Sequence, residues 1–266
     1  MKDVIEDAER KKYWNEDYVS YWKARVKEAN VSTTQNSDMV AGDVKTSTDK
    51  LYFNAIDFLN ISKHDHVLEV GCGFGRSLPL LCQRASLVTA VDISEQMIAE
   101  ARQACQEKNV RFYVSPSEKL PLLDESCDVV VCYAAFDAMY QTGALIEMNR
   151  VCKKGARILL TGKNDNYHAD DEAAIAAEAG ARAKKHPNYF TDVEKLVKNI
   201  DIFGFKIDVQ KYFLKRGDFT LGLSSDEMPE RFYEYMFILS KVSNGSVSED
   251  FIISKKISKT FVNAGV

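Results

Sequence analysis

Between positions 51 and 162, short apolar runs alternate with stretches that carry apolar residues at helical spacing. The runs are "HVLEV", "LVTAVDI", "VRFYVS", "CDVVVCYAA" and "ARILLTG", each of strand length. "LYFNAIDFLNI" precedes them with helical spacing. Among the intervening stretches are a helix over Leu78–Arg84, where Pro79 is tolerable only in the first turn, and "SEQMIAEARQACQEK", with Met97, Ala101 and Cys105 four apart. Neighbouring parallel strands need a crossover long enough to hold a helix, so this alternation dictates a mostly parallel sheet covered on both faces. Downstream, an Ala-rich helix follows a polar turn, and "TDVEKLVKNI" reads as a helix whose capping box pairs Thr191 with Glu194. "FKIDVQKYFL" and "FYEYMFILSKV" then supply two strands for an antiparallel edge. The expectation is one α/β domain over 51–242, with a seven-stranded sheet, a helical cover or lid over 1–50 and a tail over 243–266.

Gly71, Gly73 and Gly75 follow the first strand directly. Glycine weakens helices and strands, so this bare backbone serves either a tight turn or the close approach of a ligand. The pyrophosphate-binding pattern G-x-G-x-x-G is incomplete, because Arg76 stands at its third position. Two acids accompany the glycines. Glu69 lies within the apolar first strand, where a carboxylate is costly unless paired. Asp92 ends the second strand, where an acid accepts the hydroxyls of a ribose, although a lone Asp there also serves as a helix cap.

"VLEVGCGFGR", "VTAVDISEQMI", "SEKLPLLDESCDVVVCYAAF" and "EMNRVCKKGARILLTG", in that order, resemble the class I S-adenosylmethionine-dependent methyltransferases. The similarity is to the small-molecule branch that includes ubiquinone and menaquinone methyltransferases, and it runs from about Tyr52 to Thr161. It implies a Rossmann-like doubly wound fold, S-adenosyl-L-methionine as cofactor, S-adenosyl-L-homocysteine as product and a small-molecule acceptor. By the same resemblance Glu69, Gly71, Gly73 and Gly75 line the methionine and ribose end. Asp92 holds the ribose diol, Ile93 and Met97 flank the adenine, Ser117 and Glu118 lie at its edge, and Tyr133 lies near the methyl group. Pro116 replaces the Asp that the family usually carries after the third strand, and Ser117 or Glu118 is the candidate substitute.

Methyl transfer is an in-line displacement, so holding donor and acceptor collinear in a dry cleft supplies much of the catalysis. The acceptor belongs at the carboxyl ends of the fourth and fifth strands, which places Tyr133, Phe136 and Asp137 opposite Lys163, Asn164, Asp165 and His168. Of four histidines only His168 falls in that region, making it the candidate base, with Tyr133 a catalytic candidate by its place near the methyl group; a surface histidine is more often inert. His168 and the polar turn "KNDNYHADD" favour an oxygen acceptor on a polar metabolite, with nitrogen or carbon as alternatives. Asp165, His168, Asp170 and Asp171 offer a metal-binding alternative, but acid-rich turns are usually only solvated, and no metal is expected. Tyr18, Tyr21, Trp22 and Arg25 share a helical face. With Tyr13 and Trp14 they either pack on the domain or close over the cleft, with Trp22 against the cofactor.

The net charge of −4 is spread without a basic patch, which argues against nucleic acid as a partner. Six cysteines without C-x-x-C spacing read as buried thiols. The opening "MKDVIEDAERKKYW" lacks the apolar core of a signal peptide, and no run reaches the ~18 apolar residues of a membrane span. A cytoplasmic monomer or homodimer is the expectation. Two rivals stay open: a nicotinamide-dependent dehydrogenase, and a protein that binds adenosylmethionine without turnover.

Overall fold

The computed structural model describes residues 7–20, 54–165, 170, 172, 175–176, 189–214 and 224–255. Its main sheet has eight strands. Five occur in the first half of the chain: β1 His66–Val70, β2 Leu87–Asp92, β3 Val110–Val114, β4 Cys127–Cys132 and β5 Cys152–Lys163. A two-residue β6, Phe190–Thr191, pairs instead with β10, Ser254–Lys255. The main sheet is completed by β7 Phe205–Phe213, β8 Ser224–Ser225 and β9 Glu234–Lys241. The order is β3-β2-β1-β4-β5-β9-β7-β8. Strands β1 to β5 pair in parallel, whereas β9 runs against both β5 and β7, so the antiparallel portion lies where the sequence places it. The seven expected strands are all present, and β8 adds a short eighth at the rim.

The central strands are buried on both faces because their side chains alternate between two cores. Val130 and Cys132 of β4 join Leu68, Ile158 and Leu160 on one face; Val129 and Val131 join Val67 and Leu159 on the other. Fully burying each Val or Leu contributes roughly 1.5–3 kcal/mol, so a parallel strand of this kind reads as a continuous apolar run. Helices cover both faces. The face shared by Val129 receives α2, Leu78–Arg84, and α3, Glu95–Ala104; the Val130 face receives α4, Gln141–Val151, and α5, Val193–Lys198. Before them, α1, Asp7–Lys12, continues into a π-helical turn over Tyr13–Tyr18.

Several local expectations shift. The helix expected over "LYFNAIDFLNI" is seen as one turn at 54–57, its first three residues lying outside the described set. The capping box at Thr191 does not form: Asp192 caps α5 by accepting from Lys195 N at 3.1 Å, and Thr191 belongs to β6. Strand pairing at Thr191 fixes its backbone before the helix starts, so the cap falls one residue later. All six cysteines are free and buried. No helix among the described residues is long and apolar enough to cross a membrane.

Candidate active site

Successive strands run outward from β1 to β3 on one side and from β4 to β5 and beyond on the other. The order therefore reverses between β1 and β4, and open α/β sheets hold their ligands in the crevice beyond the carboxyl ends of the strands at such a reversal. The glycine turn forms one wall. Gly71 N donates to Val91 O at 2.8 Å, and Cys72 N to the same carbonyl at 3.1 Å, which ties the turn to the end of β2. Asp92 receives Gly73 N on Oδ2 at 3.0 Å and Ser94 N on Oδ1 at 2.9 Å. Burial pushes the Asp92 carboxyl up to about 6, although the Ser94, Gly73 and Ile93 amides pull the other way. Each of its oxygens keeps acceptor capacity beyond the one amide bond.

All three glycines have positive φ, at 73°, 52° and 76°. Their surroundings separate them. A Cβ on Gly71 would stand 2.5 Å from Ala135 Cβ, and one on Gly75 would stand 2.9 Å from Leu78 Cδ1 and 3.0 Å from Ala101 Cβ. A Cβ on Gly73 would meet nothing nearer than Met97 Sδ at 4.0 Å. Gly71 and Gly75 are thus required by the protein's own packing, whereas Gly73 edges open space beside Asp92. That space is a cradle with a carboxylate at its rim.

The remaining nucleoside-side residues are placed as follows. Glu69 is buried and its Oε1 accepts from Ser77 Oγ, which answers the cost of an acid within the strand. Ser77 sits at the N-cap of α2 but makes no side-chain cap bond, because its hydroxyl is directed to Glu69 instead. Met97 is buried in α3, and its N–H donates to the N-cap Ser94 Oγ at 3.2 Å. Ile93 is half-buried and Ser117 buried. Glu118 is engaged by Arg10 and by Tyr140 N. Trp22 lies outside the described residues; Tyr13, Trp14 and Tyr18 contact one another, with the Trp14 and Tyr18 ring centroids 4.7 Å apart.

At the acceptor end, Ala134 follows β4 with φ at 53°, a left-handed conformation that costs a non-glycine residue energy. Its N–H donates to Thr161 Oγ1 of β5 at 2.7 Å, which holds the bend and turns Ala135 onto Gly71. Tyr133 is partly buried against the Val129 and Val131 face. Phe136, expected to line the cleft, is instead fully buried in the opposite core, because the bend rotates it beneath the sheet end. Asp137 and Lys163 meet across the strand ends, with Nζ 3.0 Å from Oδ2. Asn164 and Asp165 are buried, and both are held by their backbones: Asn164 N donates to Tyr233 O and Asp165 N to Thr191 O, each at 2.8 Å. His168 and Asp171 lie outside the described residues, and Asp170 makes paired bonds with Arg231 at 2.8 and 2.9 Å. No group of three potential metal ligands occurs among the described residues.

Beneath this end runs a polar chain that the sequence gives no sign of. Tyr235 OH lies 2.9 Å from Thr191 Oγ1, Thr191 Oγ1 donates to Gln141 Oε1 at 2.9 Å, and Gln141 Nε2 donates to Tyr189 O at 2.9 Å. Its members span positions 141 to 235, so no spacing rule links them. Ser94 was more accessible, since "DISEQ" carries the usual N-cap pattern before a helix.

One family model, described as a methyltransferase domain, matches residues 68–160, a span that contains the glycine turn and Asp92. Over that span the chain is similar to the methyltransferases. The curated relatives include a phosphatidylethanolamine N-methyltransferase from Cereibacter sphaeroides, 33% identical over 123 residues, covering 44% of this chain and 58% of that protein. A ubiquinone biosynthesis O-methyltransferase from Coxiella burnetii is 26% identical over 119 residues, covering 44% of this chain and 51% of that protein. The chain therefore spans only about half the length of these relatives. Among solved structures, an S-adenosylmethionine-dependent methyltransferase from Mesorhizobium loti superposes with a TM-score of 0.58 at 17% identity, over 71% of this chain and 96% of that one. At that identity the likeness is one of fold.

Proposed function

We propose that this protein transfers a methyl group from S-adenosylmethionine to a small-molecule acceptor, releasing S-adenosylhomocysteine. The observation that carries the reading is Asp92, a buried carboxylate at the end of β2 with both oxygens oriented by backbone amides beside the Gly73 cradle. The residues fit the cofactor: Asp92 is an acceptor for the ribose diol, Gly73 leaves room for the close approach, and Met97 and Ile93 offer apolar contact for a base. When bound, the sulfonium supplies an activated methyl group.

The chain's own residues supply position and dryness. Gly73 N and Ser94 N hold the Asp92 carboxylate in one orientation, so its free lone pairs face the crevice without reorganisation on binding. The Ala134 bend holds Tyr133 at the end of β4. Across from it, the Asp137–Lys163 pair presents one fixed negative and one fixed positive group to an acceptor. A polar metabolite with a hydroxyl group suits that pair and the polar sequence that follows Lys163, and oxygen is the acceptor atom of this reading. Asp137 carries an oxygen able to accept a hydrogen bond from the acceptor hydroxyl, and Lys163 an ammonium able to donate one. His168 keeps its role as the candidate base.

The test is binding followed by an acceptor screen. Native mass spectrometry with S-adenosylhomocysteine, S-adenosylmethionine and NAD is expected to show retention of the two sulfur nucleosides only, lost in Asp92→Ala. Hydroxylated metabolites should then take up label from the methyl donor. Methylation of amines alone would overturn the oxygen assignment, and retention of NAD alone would overturn the reading as a whole.

A further inference from the structure

The turn after β2 and the loop after β3 are joined by a third segment that lies far from both in sequence. In α1, Arg10 is buried, at 2% exposure, and its guanidinium makes paired bonds to Glu118: Nη1 to Oε1 at 2.7 Å and Nη2 to Oε2 at 2.9 Å. The same guanidinium lies over the Tyr140 ring, 4.0 Å from its centroid, and Tyr140 N donates to Glu118 Oε1 at 2.7 Å. Further along the same segment, Asn15 Oδ1 accepts from Ser94 Oγ at 2.7 Å. Ser94 is the residue that caps α3 and donates its N–H to Asp92. One helical segment is therefore fastened to both rims of the nucleoside end, at the ribose acid on one side and at the loop after β3 on the other. A third bond, Lys11 Nζ to Glu95 Oε1 at 2.6 Å, is exposed, and pairs of that kind add little.

The Arg10–Glu118 pair is different in kind. Desolvating a guanidinium and a carboxylate costs about what their attraction returns, so such a pair is a weak source of fold stability; breaking it from one side leaves the other charge stranded. Its paired geometry, with an aromatic face closing one side, fixes where the helix sits. We infer that Arg10 and Glu118 form a latch that holds the N-terminal segment across the nucleoside end of the crevice, with Asn15 and Ser94 as its second fastening. The inference rests on the cofactor reading given above. Arg10 and Glu118 are positioning residues: they retain the cofactor by keeping the cover shut, without touching the reacting atoms. This also gives Glu118 a task other than contact with the adenine edge, and it explains how the loop that carries Pro116 can serve the site through its neighbour.

Amide hydrogen exchange over residues 7–20 and calorimetric titration with S-adenosylhomocysteine test this on the full chain. In Arg10→Gln, exchange of 7–20 without ligand is expected to rise at least about tenfold and the Kd to weaken by about tenfold, equivalent to ~1.4 kcal/mol. Exchange in β1 and β4 should stay unchanged. Glu118→Gln reaches the same contact from the other side and should match it; Arg10→Lys should fall between, because an ammonium cannot make the paired bonds. The double variant should be no weaker than either single one. In Arg10→Gln the KM for cofactor, measured by varying the cofactor, should rise, while kcat at saturating cofactor should not change. Exchange and affinity within about twofold of wild type in both Arg10→Gln and Glu118→Gln would overturn the latch. If wild type binds no S-adenosylhomocysteine at all, the cofactor reading falls, while the ligand-free exchange still decides whether the latch exists.

Discussion

The two ends of the crevice are built on different principles. The end proposed for the nucleoside is made of backbone: three turn glycines, the amides of Gly73 and Ser94, and one acid, Asp92, all within the span from Glu69 to Met97. The end proposed for the acceptor is made of side chains that meet from distant stretches, Asp137 with Lys163 and Thr191 with Gln141 and Tyr235. Backbone donors and a short motif can recognise only what is constant in a ligand. Side chains drawn from several elements can be exchanged singly, so that end is free to change acceptor while the fold and the cradle persist. The names of the relatives differ in acceptor and acceptor atom.

The contrast predicts effects that separate binding, stability and acceptor use. Asp92→Ala carries the largest: two charge-assisted bonds at about 2 kcal/mol each imply roughly a thousandfold loss of S-adenosylhomocysteine affinity by calorimetry. A loss under tenfold would place the ribose elsewhere.

Next comes pH. Asp92 has its folded-state pKa raised from 3.8 to about 6, so between those values the native state holds a proton that the unfolded chain has lost. Stability from this group therefore falls as pH rises from about 4 to 6 and levels off above, with a span of ~3 kcal/mol. Nucleoside affinity moves oppositely, because hydroxyl donors favour the carboxylate, and should rise up to about tenfold per pH unit through the same window. Denaturant titrations and calorimetry at several pH values check both slopes, with Asp92→Ala as the control that removes them.

Two glycine variants divide the turn more finely. Gly75→Ala places a Cβ 2.9 Å from Leu78 Cδ1 and 3.1 Å from the Ala101 backbone at φ 76°, so it should destabilise the fold by ~2–4 kcal/mol. Gly73→Ala meets only Met97 Sδ, at an unstrained 4.0 Å, and should cost only the ~1–2 kcal/mol of a left-handed alanine, while reducing nucleoside affinity more than Gly75→Ala does. Chemical denaturation alongside titration distinguishes the two, and equal losses of affinity would remove the special status of Gly73.

The smallest effect is expected at the other end of the crevice. Lys163→Met should raise the KM for acceptor by about tenfold, from the loss of roughly 1.4 kcal/mol of binding, and leave S-adenosylhomocysteine affinity within about twofold. A change in cofactor affinity instead would mean that the two ends do not act separately.

Much of the fold was legible because its signals are local. The edges of α2 and the runs of β1, β2 and β4 can be read directly, since each strand of a sandwiched parallel sheet must be continuously apolar and each crossover must be helical. The glycine turn and Asp92 were legible for the same reason: a turn that needs positive φ three times leaves glycine as the cheapest residue. Thr191 was misread because its pairing partner in β10 lies more than 60 positions away, and strand pairing overrode a valid capping pattern. Phe136 was misread because only the bend at Ala134, held by Thr161, turns it into the core. Arg10 carried no signal at all.

The sequence by itself determined the doubly wound sheet, the place of the antiparallel strands, the cradle and the acid beside it, because local spacing and burial suffice for each. Only the tertiary structure decided that Glu69 is answered by Ser77, that Glu118 is answered by Arg10, and that Asp137 and Lys163 face one another. The physical reason is that a charge inside a fold must find a partner, and a chain can bring that partner from any distance.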